Sequence, residues 1–366
     1  MLDYAGAWPL SRGENVKVAV LSSGVDATQP QLHGRVVPGT DLIEHTDGQS
    51  DCTGHGTEVA GIIAAQADPN VGFRGVAPLA TIVPVRVSDD EASGHTAGIP
   101  GLAAGIRFAV TSGARVILVP ITVYQPDPAL QDAVAEASAK DVLVVAAVGN
   151  DAGTSGTNRT PYPAAYPSVI GVAAIDQTGA APADVGHGPF VDLAAPGVRV
   201  ATTQRGGGLV VADGTGLAAA FVAGAAALVR SRWPDLRVDQ VITRLTATAT
   251  PAPGGPDSGR YGYGIVNPYA AVADQMAARP PAPLPGIAHD DATDQARAQT
   301  WAASARTTFL LTTLGVLLAL AVIGLAVALP RGRRARWRSR LAPRPVPQVE
   351  NEEPGPPVQL FADRER

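Results

Sequence analysis

Residues 16–22 read VKVAVLS, an apolar run broken by a single lysine, and four more follow: TIVPVRVS (81–88), RVILVPI (115–121), VLVVAAVGN (142–150) and SVIGVAAI (168–175). None alternates in polarity, so each fits a strand buried on both faces. Between and beyond them lie segments with helical spacing: TEVAGIIAAQ (57–66), PGLAAGIRFAVTSG (100–113), PALQDAVAEASAK (128–140), TGLAAAFVAGAAALVRSRW (215–233) and RVDQVITRLTATA (237–249). Strand and helix in alternation predict an α/β fold, a mostly parallel central sheet covered on both sides. In such a sheet the loops leaving the carboxyl ends of the strands form the ligand crevice, and the chemistry is expected there.

The composition agrees with one large core plus appendages: 46% of the 366 residues are apolar and only 17% charged, which excludes a mostly disordered chain. Asp and Glu (33) outnumber Lys and Arg (28), for a net charge of −5, so no broad basic face exists for nucleic acid. Cys52 is the only cysteine and cannot form an internal disulfide. Neither zinc spacing nor a convincing run of oxygen ligands for calcium occurs, and no metal or cofactor is assigned.

Near the C-terminus, residues 309–329 read FLLTTLGVLLALAVIGLAVAL without a charge. At about 1.5 Å per residue such a helix spans roughly 30 Å, the thickness of a bilayer's hydrocarbon core, which predicts a transmembrane helix. RGRRARWRSR (331–340) follows it, while Asp290, Asp291 and Asp294 precede it. The positive-inside bias therefore puts the C-terminus in the cytoplasm and the large domain outside, in a single-pass protein of the cell membrane. Residues 276–306 read as a Pro-rich, then polar linker, and 330–366 as a basic and then disordered tail. An exported domain needs a signal peptide, and residues 1–20 do not carry one. The expectation is a true start upstream of Met1; the alternative is a tail anchor with a cytoplasmic domain.

Four segments fall at expected strand ends or helix starts: LSSGVDATQPQL (21–32), DCTGHGTEVAG (51–61), VVAAVGND (144–151) and DGTGLAAAFVAG (213–224). Singly, each reads as a turn or a helix entry. Together and in this order they resemble the subtilisin-like serine proteases, the S8 or subtilase family, over roughly residues 8–274. The resemblance implies a subtilisin-like three-layer fold across 15–275, after a lead-in of residues 1–14. It also implies that the four segments carry the catalytic Asp, the His, the oxyanion-hole Asn and the nucleophilic Ser. His55 and Asn150 are retained; Ser22 stands at the Asp position and Gly216 at the Ser position.

A hydroxyl attacks only when an imidazole takes its proton, and the imidazole works because a carboxylate fixes its tautomer and stabilises the imidazolium. Gly216 offers no atom to attack with. In subtilisins themselves, loss of the serine or the histidine lowers turnover about 10⁶-fold, roughly 8 kcal/mol of barrier. Thr215, Ser23 and Asp26 lie nearby but are placed to point elsewhere.

Within the family, AGAWPLSRGENVKVAVLSSGVD (5–26), the Asp51-Cys52 pair before Gly54-His55-Gly56-Thr57, and Phe73-Arg74-Gly75-Val76-Ala77-Pro78 are similar to mycosins, the membrane-anchored subtilases associated with type VII secretion. The resemblance implies the membrane and type VII secretion membrane components as partners. Departures are the absent signal peptide, the unpaired Cys52, and VILVPI (116–121) where a strand bordering the substrate cleft belongs. The expectation is a non-catalytic mycosin-like pseudoprotease with a structural role, whose residual hole at Asn150 holds peptide or protein segments without turnover. The competing expectation is an active endopeptidase that processes exported proteins.

Overall fold

The computed structural model describes residues 2–89, 96–150, 158–255, 258–274, 311–320 and 322–324. Two compact units are present, Met1–Ala278 and Arg279–Arg366.

The first unit is built on seven strands: β1 (Lys17–Ser22), β2 (Thr40–Asp41), β3 (Thr81–Arg86), β4 (Val116–Val119), β5 (Leu143–Ala147), β6 (Val169–Ile175) and β7 (Leu193–Pro196). They form one sheet in the order β2-β3-β1-β4-β5-β6-β7, every pair parallel. All residues of β4, β5, β6 and β7 are buried, as their unbroken apolar runs require when both faces are covered. In β1 only Lys17 is exposed. This is the mostly parallel α/β arrangement expected from the alternation of runs, and the resemblance to subtilisin-like proteases implies the same. A further antiparallel hairpin, β8 (Val200–Thr203) with β9 (Leu209–Ala212), lies outside the main sheet.

Helix α1 (His55–Ala64) packs against α4 (Thr215–Arg232), while α2 (Gly98–Thr111) packs against α3 (Pro128–Ala139). The interior of α4 is buried on every side from Thr215 to Arg230, which explains its run of alanines. Small side chains let one helix approach both the sheet and α1 closely. Gly224 marks the tightest point, since a Cβ there would lie 2.7 Å from the Val76 Cβ. Residues 1–14 belong to this packed unit: the Trp8 indole N–H donates to the Val76 carbonyl at 3.0 Å, and the Tyr4 ring lies 6.4 Å from that of Phe221.

The linker expected over 276–306 and the tail over 330–366 lie outside the described residues. Of the span expected over 309–329, residues 311–320 and 322–324 are described; they are helical, with their large apolar side chains exposed. Among the described residues no helix is long and apolar enough to cross a membrane.

Because Val76 cannot retreat without moving the backbone that follows Gly75, Gly224→Val is expected to destabilise the fold by about 1–3 kcal/mol. A urea titration that shows an unchanged midpoint would contradict this packing.

Candidate functional site

The sheet's carboxyl edge assembles the site. β1 ends at Ser22, β4 runs into Pro120, β5 runs on to Asn150, and α1 and α4 begin at His55 and Thr215. The start of α1 is fixed by Asp51, a buried carboxylate. Its Oδ1 accepts from Ser23 Oγ (2.7 Å) and from the amides of Thr53 (3.1 Å) and Gly54 (2.8 Å). Its Oδ2 accepts from the Thr57 amide (2.8 Å) and Thr57 Oγ1 (2.6 Å). A negative group at a helix N-terminus meets amides that have no partner inside the helix. Gly54, at φ +103°, makes the turn into the helix in a conformation that a side chain would strain. Gly56 lies so close to Gly24 that a Cβ would run into the Gly24 carbonyl.

His55 is thereby set against Ser22, whose Oγ lies 2.9 Å from His55 Nδ1. Desolvation holds the imidazole below its ordinary pKa, opposed by the negative field of Asp51. The ring is therefore neutral at pH 7. A carboxylate at position 22 could only accept, which would force the proton onto Nδ1; a hydroxyl donates or accepts, so Ser22 leaves both tautomers open.

Gly216 faces the other ring nitrogen. A Cβ there would lie 3.1 Å from His55 Nε2, 2.8 Å from the Pro120 carbonyl oxygen and 3.0 Å from the Pro120 Cβ. The position lacks an oxygen, and the end of β4 crowds the space a side chain would fill. Asn150 is near, with its Oδ1 accepting from the Thr215 amide at 3.0 Å. Thr215 Oγ1 accepts from the Gly149 amide at 3.1 Å, which commits that hydroxyl to the loop after β5. Ser23 is spent on Asp51 and the Gly56 amide, and Asp26 on Thr28 and the Gly206 amide. Against desolvation, those bonds hold Asp26 below the usual carboxylate range. Thus the structure brings Ser22, His55 and Gly216 together and turns each neighbouring oxygen elsewhere.

Several residues of the site were not singled out in the sequence. Tyr124 lays its hydroxyl against Gly149, beside Asn150, with the Arg159 guanidinium 3.7 Å from its ring centre. Arg205, at the tip of the β8–β9 hairpin, donates to the carbonyls of Asp51 (2.9 Å) and Cys52 (2.6 Å) and so straps the loop before His55. Glu58 stands one helical turn beyond His55. With His55 and Ser22 it lines a cleft of about 580 Å³, walled by Val87, Ile99, Leu102 and Ile121. The His55–Glu58 spacing of three was the available signal for Glu58; Tyr124 and Arg205 had none.

With residues 13–264 matching the profile of the Subtilase family of S8 peptidases, the chain belongs to the subtilases. It is 36% identical over 261 residues to subtilisin DY of Bacillus licheniformis, covering 71% of this chain and 92% of that protein. Mycosins are among the solved structures it resembles. MycP1 with its N-terminal propeptide removed aligns with a TM-score of 0.68 at 31% identity, over 76% of this chain and 97% of that one. The MycP3 protease from the type VII (ESX-3) secretion system aligns with a TM-score of 0.64 at 36% identity, over 75% and 87%.

Two expectations follow from this geometry. Gly216→Ser alone is expected to destabilise the fold by about 1–3 kcal/mol, through the Pro120 contact, and to stay unlabelled by a fluorophosphonate probe. Ser22→Asp is expected to raise the His55 pKa by about 1 to 3, read from the imidazole resonances in an NMR titration. Covalent labelling of the single Gly216→Ser variant would show that the hydroxyl of Ser22 suffices.

Glu58 supplies another. Burial, with the charge of Asp51, pushes its carboxyl up to about 7 from 4.5. The folded chain then holds the proton more tightly than the unfolded chain does. Its effect on stability is favourable below about pH 4.5 and is lost as pH rises through 7. Glu58→Gln is therefore expected to raise the melting temperature at pH 8 relative to the parent and to leave it unchanged near pH 4.

Proposed function

We propose that this chain is a mycosin-like subtilase that no longer turns over peptide bonds. In this reading it serves as a membrane-anchored structural component of a type VII secretion membrane complex, with Ser22, His55, Asn150 and Gly216 at the positions of a disarmed catalytic site. The observation that carries the proposal is Gly216: the point that faces His55 Nε2 has no oxygen, and the Pro120 carbonyl crowds it. The neutral imidazole and the hydroxyl at position 22 agree with it, because no carboxylate is present there to balance an imidazolium.

The secretion context comes from the mycosin neighbours, of which MycP3 belongs to the type VII (ESX-3) system. Anchoring is supported by the uncharged run 309–329 and by the exposed apolar side chains on its described helical part. The six arginines of 331–340 orient the tail to the cytoplasm and the large domain outward. The cleft beside His55 remains open at about 580 Å³ and is suited to hold an extended polypeptide segment without cutting it.

The full chain in detergent is expected to resist fluorophosphonate labelling and to co-migrate with secretion membrane components from the producing cells. Labelling that His55→Ala abolishes would instead support an endopeptidase, and migration only as a free monomer would end the structural role. Cys52 reports orientation, since it is the sole cysteine and its thiol is exposed. A membrane-impermeant maleimide is expected to label it in intact cells.

A further inference from the structure

Among the described residues, Glu58 and Asp89 line the cleft and Asp51 lies in the loop before His55, and the three carboxylates differ in how they are satisfied. Asp51 takes five hydrogen bonds from Ser23, Thr53, Gly54 and Thr57. Asp89 is paired with the buried Arg86 at 2.8 Å. Glu58 lines the cleft, and its carboxyl has neither a hydrogen bond nor an ion pair among the described residues. A carboxylate removed from water without a partner is costly, and a cation delivered from outside relieves that cost.

Among the described residues, the cations near the cleft are engaged elsewhere. Arg86 is held by Asp41, Glu44 and Asp89. Arg205 has its guanidinium engaged by the carbonyls of Asp51 and Cys52. His55 is neutral and bonded to Ser22.

The rest of the lining is largely apolar, with Val87 after β3, Ile99 and Leu102 of α2, and Ile121 after β4, beside Ser88, Thr96 and Thr122. An aliphatic stem that ends in a cation matches such a site, the methylenes on the wall and the charge on the carboxylate.

We propose that the His55-side cleft is a receptor for a lysine side chain presented by an extended polypeptide segment, with Glu58 as the carboxylate that takes its ammonium. The inference rests on the reading of the cleft as one that holds polypeptide without cutting it, and it adds the charge of the occupant. Among the described residues, the titratable or charged groups near Glu58 are His55 and Asp51 from α1 and the loop before it, Asp89 from the segment after β3, and Arg205 from the hairpin. The wall formed by α2 and residues 121–123 contributes none. With the Glu58 carboxyl at about 7, binding of the cation draws the proton off, and affinity increases as pH rises through that value.

The test is isothermal titration calorimetry on the full chain in detergent, with two acetylated, amidated six-residue peptides of alanine and leucine that differ only in a central lysine or norleucine. At pH 8 the lysine peptide is expected to bind about tenfold more tightly, an advantage that shrinks to below about threefold at pH 5.5. Glu58→Gln is expected to abolish the advantage at both pH values and to keep the norleucine affinity, which also certifies that the variant is folded. Equal affinities for the two peptides in the parent chain would overturn the lysine receptor and leave the polypeptide-holding cleft standing. A lysine advantage that survives Glu58→Gln would overturn the assignment to Glu58. Failure of both peptides to bind at millimolar concentration would overturn both readings.

Discussion

The site depends on one buried carboxylate. Asp51 gathers the amides of Thr53, Gly54 and Thr57 and the hydroxyls of Ser23 and Thr57 around two oxygens. That cluster joins the loop after β1 to the first turn of α1, and His55 is the residue at the joint. The desolvation penalty of a buried anion is met by five donors rather than by a cation, which leaves the Asp51 charge to act at a distance on its neighbours. Glu58 registers it as a raised pKa, and His55 as a partial offset to desolvation.

Around that joint the fold is that of a subtilase, with a hydroxyl at position 22 and no side chain at position 216. Ser22 Oγ meets His55 Nδ1 at a point where a carboxylate could equally accept a hydrogen bond. What changes is the electrostatics, since a neutral oxygen neither fixes the tautomer nor opposes a positive ring. At position 216 the change is steric as well as chemical. The Pro120 carbonyl stands where a Cβ at position 216 would be crowded, so glycine fits the path of the chain leaving β4. Tyr124 over Gly149 continues the same trend along the segment that leaves β4.

Much of this was legible in the residue order. The unbroken runs at 16–22, 115–121 and 142–150 mark strands buried on both faces, because no polar side is needed where helices cover both sides. The order of Ser22, His55, Asn150 and Gly216 follows from where strands end and helices begin. Glu58 was half legible, three residues from His55 on one helix, but nothing in the order of residues says that its carboxyl goes without a partner. Pro120 was visible as an interruption of a strand pattern and invisible as the neighbour of Gly216, 96 positions away by their residue numbers.

By itself, the sequence determined the layered α/β class, the places where chemistry would be sought, and the absence of an attacking oxygen at position 216, because burial period and residue identity are local properties. Only the tertiary structure decided that Ser22 reaches Nδ1, that Pro120 crowds Gly216, that Arg205 straps the loop before His55, and that Glu58 opens on an apolar cleft without a partner. Each of these joins segments far apart in the chain, and their distances are fixed by how α1, α4 and the β8–β9 hairpin pack on the sheet, which no local pattern encodes.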